Sequence, residues 1–487
     1  MSDLANWARI RRYAVPAWMI AECTAARERG DWRAACAAAD VVVGFDSPEG
    51  VEDLLAGFAP DLLRWHLPRA LGGYTTLGTD LSYVLSGTSP VEARTLVLVV
   101  RAPKSVLGSQ QLALTVAEYG SLDPDELVRL APYHWDARHA ADWRAAVRAP
   151  SSWAEAGVEV TVDDVGSTPF DTTVLARLDP FQVAVEARRV SALFGPRSWA
   201  IWFDHYALAR VDVEGDDVRL TAISIDWRSS RARLDQLPRL SVQLLSLPVD
   251  LDLVRSGRMA IAGVHPLVRE ALFLGAEPEP PAPPVPAEPI RVHCQGEWHE
   301  IGHDNGRLTL TRHTAAEEQR ERALLAFGGA VSGCFAVSQS WSGATGRLPR
   351  RLRAIREDLW QQIIHGGTRA VLDMLDNGLD PHLRNSRGQT LMHLVRSFDH
   401  VRLLPRLLSE GVDVNGRDRQ GNTPLFLAVT QAWPAGLIRA LVDAGADPRV
   451  LNQDETSVLE YLEQMLEYME HRSDDFRAVA EELLERA

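Results

Sequence analysis

A repeat with a period of about 33 residues runs through the C-terminal quarter of this 487-residue chain. Three segments align at this period: RGQTLMHLV (387–395), QGNTPLFLAV (420–429) and DETSVLEYL (454–462). Their threonines are 33 residues apart each time: Thr390, Thr423 and Thr456. Glycines near the other end of the unit are spaced by 33 and 34 residues, and the extra residue fits the segment 430–437: Gly378, Gly411 and Gly445. Such a period predicts small units that each bury an apolar face against the next one.

The residue types within a unit fit two helices followed by a projecting turn. Thr423 can cap the first helix, and Pro424 suits its first turn, where a missing N–H costs nothing. Ala428 is small enough for close helix packing, and Gly411 and Gly445 suit the left-handed end of a second helix.

The pattern T-P-L-x-x-A at Thr423 and the glycine positions make the region 358–487 resemble the ankyrin repeat. We identify two good repeats, and the array is completed by two divergent units: a partial leading repeat (358–386) and an acidic cap (454–487). Leu391 stands where the motif proline is expected, and Phe426 replaces the motif histidine that His393 keeps. The whole architecture is similar to uncharacterised actinobacterial ankyrin-containing proteins, which implies no activity.

The resemblance implies binding of a protein partner through the hairpin tips and the face of the first helices. Arginines at such tips suit carboxylates. Carried onto this chain, the partner-binding positions are Arg384, Asn385, Arg387, His393, Arg417, Arg419, Phe426 and Asn452. Two alternatives stay open. In the first, the short array only packs against the N-terminal domain as an internal brace. In the second, it is the targeting arm of an N-terminal enzyme or sensor.

A second motif, His299-Glu300-Ile301-Gly302-His303, matches the H-E-x-x-H signature of zinc peptidases. There two histidines on one helical face bind zinc, and the glutamate is the general base. The longer signature needs a third histidine where this chain has Thr309, and the replacements on offer are His313, Glu317 and Glu318.

The surroundings of this motif predict strands rather than a helix. Apolar residues alternate before it and after it, and Asp304-Asn305-Gly306 is a turn signal, so we predict a β-hairpin over 290–311. Extended residues four apart lie about 13 Å apart, too far to share one metal ion. We favour no metal site, and a zinc-dependent metallohydrolase using His299, His303 and Glu300 is kept as the alternative.

Composition excludes several mechanisms. Lys104 is the single lysine among 51 basic residues, and its context RAPKSVLG fits neither a P-loop nor a kinase lysine. The arginine bias is typical of a high-GC bacterial genome. A formal charge of −15 argues against nucleic acid as the partner. The cysteines form no C-x-x-C pair, which argues against a disulfide framework and a cysteine-rich zinc module: Cys23, Cys36, Cys294 and Cys334. We predict no cofactor and lean away from an enzyme.

No apolar run approaches the roughly 18–20 residues that a membrane span needs. The N-terminal residues MSDLANWARIRRYAV contain no apolar signal-peptide core, so we expect a cytoplasmic protein. The segment EPEPPAPPVPAEP (277–289) predicts a semi-rigid polyproline spacer. The domains expected are an α+β domain (1–275), a proline-rich linker (276–290), a β-hairpin plus helix unit (291–350), and an α-solenoid of short ankyrin repeats with its cap (351–487).

The N-terminal domain is expected to open with helices and to continue with mostly antiparallel strands. Strands are predicted at 81–86, 94–100, 111–119, 158–165, 180–190, 199–213 and 218–227. Helices are predicted at 123–131 and 265–273. Polar groups that suggest a catalytic site lack a recognisable nucleophile context, and we interpret them as surface or satisfied residues: Asp204 with His205, His134 with Asp136, and His139.

Overall fold

The computed structural model describes most of the chain. The described residues are 4–69, 78–103, 108–147, 152–163, 170–203, 207–224, 237–275, 290–304, 306–327, 329, 331–343, 346–431, 433–465 and 474–485. Lys104, Asp204, His205 and nearly all of the predicted linker therefore lie outside the described residues. The chain divides into two compact units, one of residues 1–106 and 110–282 and one mainly of residues 283–487. Within the described parts, no helix has the length and apolarity to cross a bilayer.

The first unit combines helices with two mixed sheets. Its strands are β1 (Val41–Val43), β2 (Ser82–Leu85), β3 (Leu96–Arg101), β4 (Leu112–Glu118), β5 (Leu127–Leu130), β6 (Val158–Asp163), β7 (Ser198–Trp202), β8 (Ala207–Glu214), β9 (Asp217–Ser224) and β10 (Arg239–Leu240). Its α-helices are α1 (Leu4–Tyr13), α2 (Ala17–Glu28), α3 (Trp32–Ala38), α4 (Glu52–Gly57), α5 (Pro60–His66), α6 (Trp143–Ala146), α7 (Pro180–Phe194), α8 (Val249–Arg255) and α9 (Pro266–Leu272). Short 3₁₀ helices lie at Tyr119–Ser121, Pro124–Glu126, Pro132–His134, Ala140–Asp142, Thr172–Arg177, Val242–Leu245 and Ile261–Gly263.

The two sheets share one topology. Among the described residues, the strand orders are β1-β4-β3-β2-β5 and β10-β7-β8-β9-β6. Each sheet has a central antiparallel meander of three consecutive strands. The strand before the meander pairs in parallel with the last meander strand, and the strand after it pairs in parallel with the first. The first unit therefore uses the same arrangement of strands twice along the chain.

Three secondary-structure predictions for this unit are wrong. The segment 180–190 forms α7 rather than a strand, because the Asp179 side chain accepts a hydrogen bond from the Gln182 N–H at 2.8 Å and Pro180 occupies the first turn. The predicted helix 123–131 is instead a short 3₁₀ helix, Pro124–Glu126, followed by the strand β5, whose residues are all buried. The strands are mixed rather than mostly antiparallel, since each meander carries parallel strands at both edges. The short edge strands β1 and β10 were not predicted, because two or three residues show no periodicity.

The second unit begins with a three-stranded antiparallel sheet and continues with helices. The strands are β11 (Ile290–Cys294), β12 (Glu297–Asp304) and β13 (Arg307–Leu310). The α-helices are α10 (Ala315–Ala326), α11 (Gly333–Ser342), α12 (Arg350–Asp376), α13 (His400–Ser409), α14 (Pro424–Thr430), α15 (Ala435–Asp443), α16 (Val458–Met465) and α17 (Asp474–Glu485), and a 3₁₀ helix covers Leu391–Ser397. Helix α12 contains a kink at Gly367. One apolar core runs through the unit, from Ile290 to Leu483.

The hairpin predicted over 290–311 has one strand more than expected. Gln295 and Gly296 both have positive φ, 54° and 90°, and form a tight turn between β11 and β12. The predicted turn before Arg307 joins β12 to β13. The turn between β11 and β12 was not predicted, because a residue with a side chain such as Gln295 seldom adopts positive φ.

The first helices of the repeat units begin at capped positions. The side chain of Thr390 caps the 3₁₀ helix, and the Thr423 side chain accepts from the Phe426 N–H in α14. In the last unit the cap is Ser457, whose Oγ accepts from the Glu460 N–H at 3.2 Å. The alignment of Thr456 with Thr423 is therefore one residue too early, and the spacing of 34 residues agrees with that of Gly411 and Gly445.

Candidate functional site

The loops between repeat units are held by one side chain each. The Asn385 side-chain oxygen accepts hydrogen bonds from the N–H groups two and four residues later, at 2.8 and 3.0 Å. Asp418 and Asn452 do the same in the next two loops, with distances of 2.9 to 3.0 Å. Short polar side chains are well suited to such turns. The predicted partner-binding residues Asn385 and Asn452 therefore build the tips from within.

Neighbouring tips are joined by hydrogen bonds. The Arg419 N–H donates to the Arg387 carbonyl at 2.9 Å, and the Gln453 N–H donates to the Gln420 carbonyl at 2.9 Å. The Arg384 guanidinium donates through Nη1 to the carbonyl of Arg417 at 2.7 Å. Successive tips thus form one connected edge, and Arg384 belongs to its internal bonding.

The other predicted arginines are exposed along this edge. Arg387, Arg417 and Arg419 are exposed, while Arg384 and Asn452 are half-buried. We define these three exposed arginines as the tip arginines. Of these three, Arg419 lies near Arg356 on α12: burial lowers the pKa of the Arg356 guanidinium, and the positive charges of Arg419 and Arg353 lower it further.

His393 is buried, with only 1% of its surface exposed. Its Nδ1 accepts from the Thr390 N–H at 3.1 Å, so the neutral ring carries its proton on Nε2, which faces the Asn422 carbonyl at 3.3 Å. Burial lowers the pKa of His393 to about 4. The ring is placed inside the array, where it caps its own helix and links two repeats.

Phe426 is half-buried on α14. Its ring centroid lies 6.2 Å from that of Tyr461 on α16. Near these first helices, the Arg396 guanidinium lies over the Trp433 ring at 4.9 Å. Phe426, Tyr461 and Arg396 are each half-buried, whereas Trp433 is buried, so the rings of Phe426 and Tyr461 are the aromatic groups here that stay partly open to a partner.

The H-E-x-x-H segment lies in strand β12 rather than on a helix. His299 is buried, whereas His303 packs its ring against Trp341 with centroids 5.2 Å apart. Glu300 is exposed and faces Arg291 at 3.4 Å, on the face opposite to His299 because side chains alternate along a strand. Of the proposed replacement ligands, Glu318 and Glu317 lie on α10. The peptidase arrangement, with Glu300 beside a metal held by His299 and His303, is not what these residues form.

His299 instead meets His313, which the sequence offered as a replacement ligand, and two cysteines that the sequence did not group with it. The donor atoms of Cys294, His299, His313 and Cys334 all lie within 4.8 Å of one another. The residues come from the end of β11, from β12, from the turn after β13 and from the first turn of α11. A search limited to C-x-x-C pairs passes over them, because the two cysteines are 40 residues apart in sequence. The one available signal was His313 as a candidate ligand, because the turn that puts Cys294 and His299 on one face was not predicted.

Residues 359–452 match a family model described as ankyrin repeats (3 copies). The C-terminal region contains ankyrin repeats. Similar proteins include an ankyrin repeat-containing protein of Schizosaccharomyces pombe, 35% identical over 97 residues, which are 20% of this chain and 45% of that protein. An ankyrin repeat protein of fowlpox virus is 38% identical over 63 residues, 13% of this chain and 14% of its own.

The mitochondrial disaggregase of Bos taurus is 33% identical over 175 residues, which cover 32% of this chain and 24% of that protein. The chain thus spans less than half the length of these curated relatives. Ankyrin repeats support protein–protein interaction as the role of the C-terminal region.

Gly421 is the glycine on which close contact between the ankyrin tips depends. It has φ of 77°, and a Cβ there would lie 2.8 Å from the Gln453 nitrogen. We expect Gly421→Ala to destabilise the repeats by about 2 kcal/mol, through backbone strain plus displacement of the next tip. Gly445→Ala is the matched control, since φ is also positive (93°) but nothing lies within 4 Å. Urea unfolding of both variants measures the difference, and an equal loss in the two would contradict the role of the tip contact.

The polar groups noted in the N-terminal domain are engaged separately. His134 is buried among the rings of His66, Tyr133 and Trp143, and burial lowers its pKa to about 3. Asp136 pairs with Arg138 at 2.8 Å, and His139 pairs with Asp142 at 2.9 Å. These contacts give the three residues structural partners.

Proposed function

We propose that this chain is an intracellular interaction or scaffold protein whose ankyrin repeats bind an acidic segment of a partner protein. The observation that supports this proposal is the set of three tip arginines, Arg387, Arg417 and Arg419, exposed along one hydrogen-bonded edge. Guanidinium groups bind carboxylates through paired hydrogen bonds, and clustered positive charge speeds the encounter with a negative partner.

The predicted residues fall into two groups, those that hold the array together and those that are exposed to a partner. Asn385, Asn452 and His393 hold the tips and helices in place, and Arg384 bonds to the neighbouring tip. The tip arginines are exposed, on a backbone fixed by these contacts. A surface organised before binding loses less conformational entropy when the partner arrives.

The proposal is tested by reversing the three charges together, as Arg387→Glu, Arg417→Glu and Arg419→Glu in the full chain. We expect capture of the partner to fall by about tenfold or more, which corresponds to roughly 1.4 kcal/mol or more of binding free energy. The measurement is affinity capture with quantitative mass spectrometry, followed by the Kd of each captured protein.

The matched control makes the same change of net charge at other exposed arginines, namely Arg255→Glu, Arg258→Glu and Arg402→Glu. These changes should leave capture within about twofold. Equal losses in both triple variants would mean that only net charge matters. Unchanged capture by the tip variant, or a wild-type chain that retains no protein above the bead background, would overturn the proposal.

A further inference from the structure

We propose that Cys294, His299, His313 and Cys334 bind one zinc ion in a closed structural site at the start of the second unit. The inference is independent of the proposed partner binding. It rests on the position, spacing and surroundings of these four side chains.

The backbone brings the four residues together from distant points of the sequence. Val292 pairs with His299 and Cys294 pairs with Glu297, so Cys294 and His299 share the buried face of the hairpin. His313 follows the third strand, and its side chain is 3% exposed. Cys334 is also buried and free, as is Cys294.

The spacing of the donor atoms fits a tetrahedral zinc site. The His299 Nδ1 lies 3.0 Å from the His313 Nε2. Each sulphur lies 3.7 Å from an imidazole nitrogen, Cys294 Sγ from His313 Nε2 and Cys334 Sγ from His299 Nδ1. Zinc bonds of about 2.3 Å to sulphur and about 2.0–2.1 Å to nitrogen place tetrahedral ligands about 3.3 to 3.8 Å apart. The four atoms, all within 4.8 Å of one another, are therefore close to the spacing that tetrahedral zinc requires.

Gly333 permits the close approach of the two cysteines. It has φ of 57°, and a Cβ on it would lie 2.5 Å from the Cys294 sulphur. A side chain at this position would push the start of α11 away from the sheet. The glycine thus lets Cys334 reach the other three residues.

A carboxylate lies close to the outer ring nitrogen of His313, within reach of a small side-chain shift. The Glu317 Oε2 lies 3.9 Å from the His313 Nδ1, the ring nitrogen that faces away from the other donors. The same oxygen accepts a hydrogen bond from the Thr314 N–H at 2.8 Å, which fixes its position. Histidine ligands of metals commonly donate their second ring N–H to a carboxylate, which sets the tautomer and orients the ring.

The donor set identifies both the metal and its role. Two thiolates and two imidazoles favour zinc over magnesium or calcium, which prefer oxygen ligands. Two thiolates also neutralise the charge of Zn²⁺, so the buried complex carries no net charge. Four protein ligands leave no position open for water or substrate, as in structural rather than catalytic zinc sites.

The site would fasten the small sheet to the ankyrin repeats. Zinc would join β11 and β12 to α11 through Cys334. Helix α11 is in turn held to α12, because the Arg356 Nη1 on α12 donates to the Ser340 carbonyl at 2.8 Å. The Trp341 Nε1 donates back to the Gly306 carbonyl at 2.9 Å. The zinc unit is thereby an N-terminal cap, which a short repeat array needs at its exposed end.

The test is the metal content of the full chain, purified from zinc-supplemented medium under reducing conditions and passed over a chelating resin. We expect about one zinc per chain, and none after the double substitution Cys294→Ser with Cys334→Ser. The double substitution Cys23→Ser with Cys36→Ser is the control for buried cysteines elsewhere. His299→Asn should lose the metal, whereas His303→Asn, on the same strand, should keep it.

Cobalt substitution separates ligand loss from unfolding. The wild-type chain reconstituted with Co²⁺ should show thiolate-to-cobalt charge-transfer bands and intense tetrahedral d–d bands. Cys334→His should still bind about one cobalt ion, with its charge-transfer intensity reduced by about half because one thiolate is left. Less than about 0.1 zinc per wild-type chain together with no cobalt bands, a disulfide between Cys294 and Cys334, or zinc retained by the double serine variant would each overturn the proposal.

Discussion

Acidification from pH 6.5 to pH 4 is expected to weaken the ankyrin repeats around His393 by about 3 kcal/mol. The unfolded chain binds a proton at the usual histidine pKa of about 6.5, whereas burial lowers the folded pKa to about 4, so each pH unit between them costs about 1.4 kcal/mol. The stabilisation is fully present above pH 6.5 and is lost as the pH falls to about 4. Below that value the folded state binds the proton too.

The folded site disfavours a second proton on the His393 ring. The Nδ1 already accepts from the Thr390 N–H, so a charged ring would set two donors against each other. Asp418 favours the charged ring, but Arg384 opposes it and desolvation outweighs both. The measurement is hydrogen exchange of peptides covering residues 388–430, corrected for the intrinsic exchange rate at each pH.

His393→Gln is the matched control, because glutamine can accept from the N-cap N–H as in a capping box but does not titrate. We expect its stability at pH 7 to be lower than wild type by about 1 kcal/mol, through the lost bond to Asn422. Its pH profile should lack the additional slope between pH 6.5 and pH 4. Parallel profiles for wild type and the glutamine variant would show that His393 does not carry the effect.

Arg64→Met is expected to destabilise the first unit by about 3–5 kcal/mol. Arg64 is 2% exposed, and its guanidinium donates to the carbonyls of Ala39, Asp40 and Gln110 at 2.8 to 3.0 Å. Methionine fills much of the volume but leaves these carbonyls without their donor, at about 1–3 kcal/mol for each one that stays buried. Burial lowers the pKa of the guanidinium to about 9, the nearby charge of Arg69 lowers it further, and the negative charge of Asp40 opposes both.

Arg33→Met is the control for this prediction. Arg33 also donates to two backbone carbonyls, of Phe45 at 3.2 Å and Asp46 at 2.6 Å, but at the surface where water can replace it. We expect a loss below about 1 kcal/mol for Arg33→Met. Calorimetry and hydrogen exchange of peptides in the first unit measure both variants. A similar loss in the two would refute the importance of burial at Arg64.

The elements that the sequence predicted well are those whose cause is local. The helices of the ankyrin units were predicted from the repeat glycines, Thr423 and Pro424, since caps and turns depend on a few neighbouring residues. The alternation around β12 predicted strands and so argued correctly against a helical peptidase motif. The strand predicted at 180–190 is wrong, because its apolar run fits a strand or a helix equally well. The capping residue Asp179 favours the helix.

What the sequence did not predict depends on distant contacts. His393 and Arg384 look like surface residues in a motif, but their hydrogen bonds to Asn422 and Arg417 place them inside the array. The Cys294–Cys334 cluster depends on the turn at Gln295 and on the path of the chain from β13 to α11. A zinc ion found in this chain would support that cluster rather than the peptidase alternative, because Glu300 faces away from the cluster.

The most direct test of the central claim is a hydrogen-exchange footprint of the full chain with and without the partner that it captures. Binding through the ankyrin tips predicts slower exchange in peptides covering 384–389 and 417–421, and no change along α13. Protection confined to the first unit, or to α13 and α15 without the tips, would contradict it.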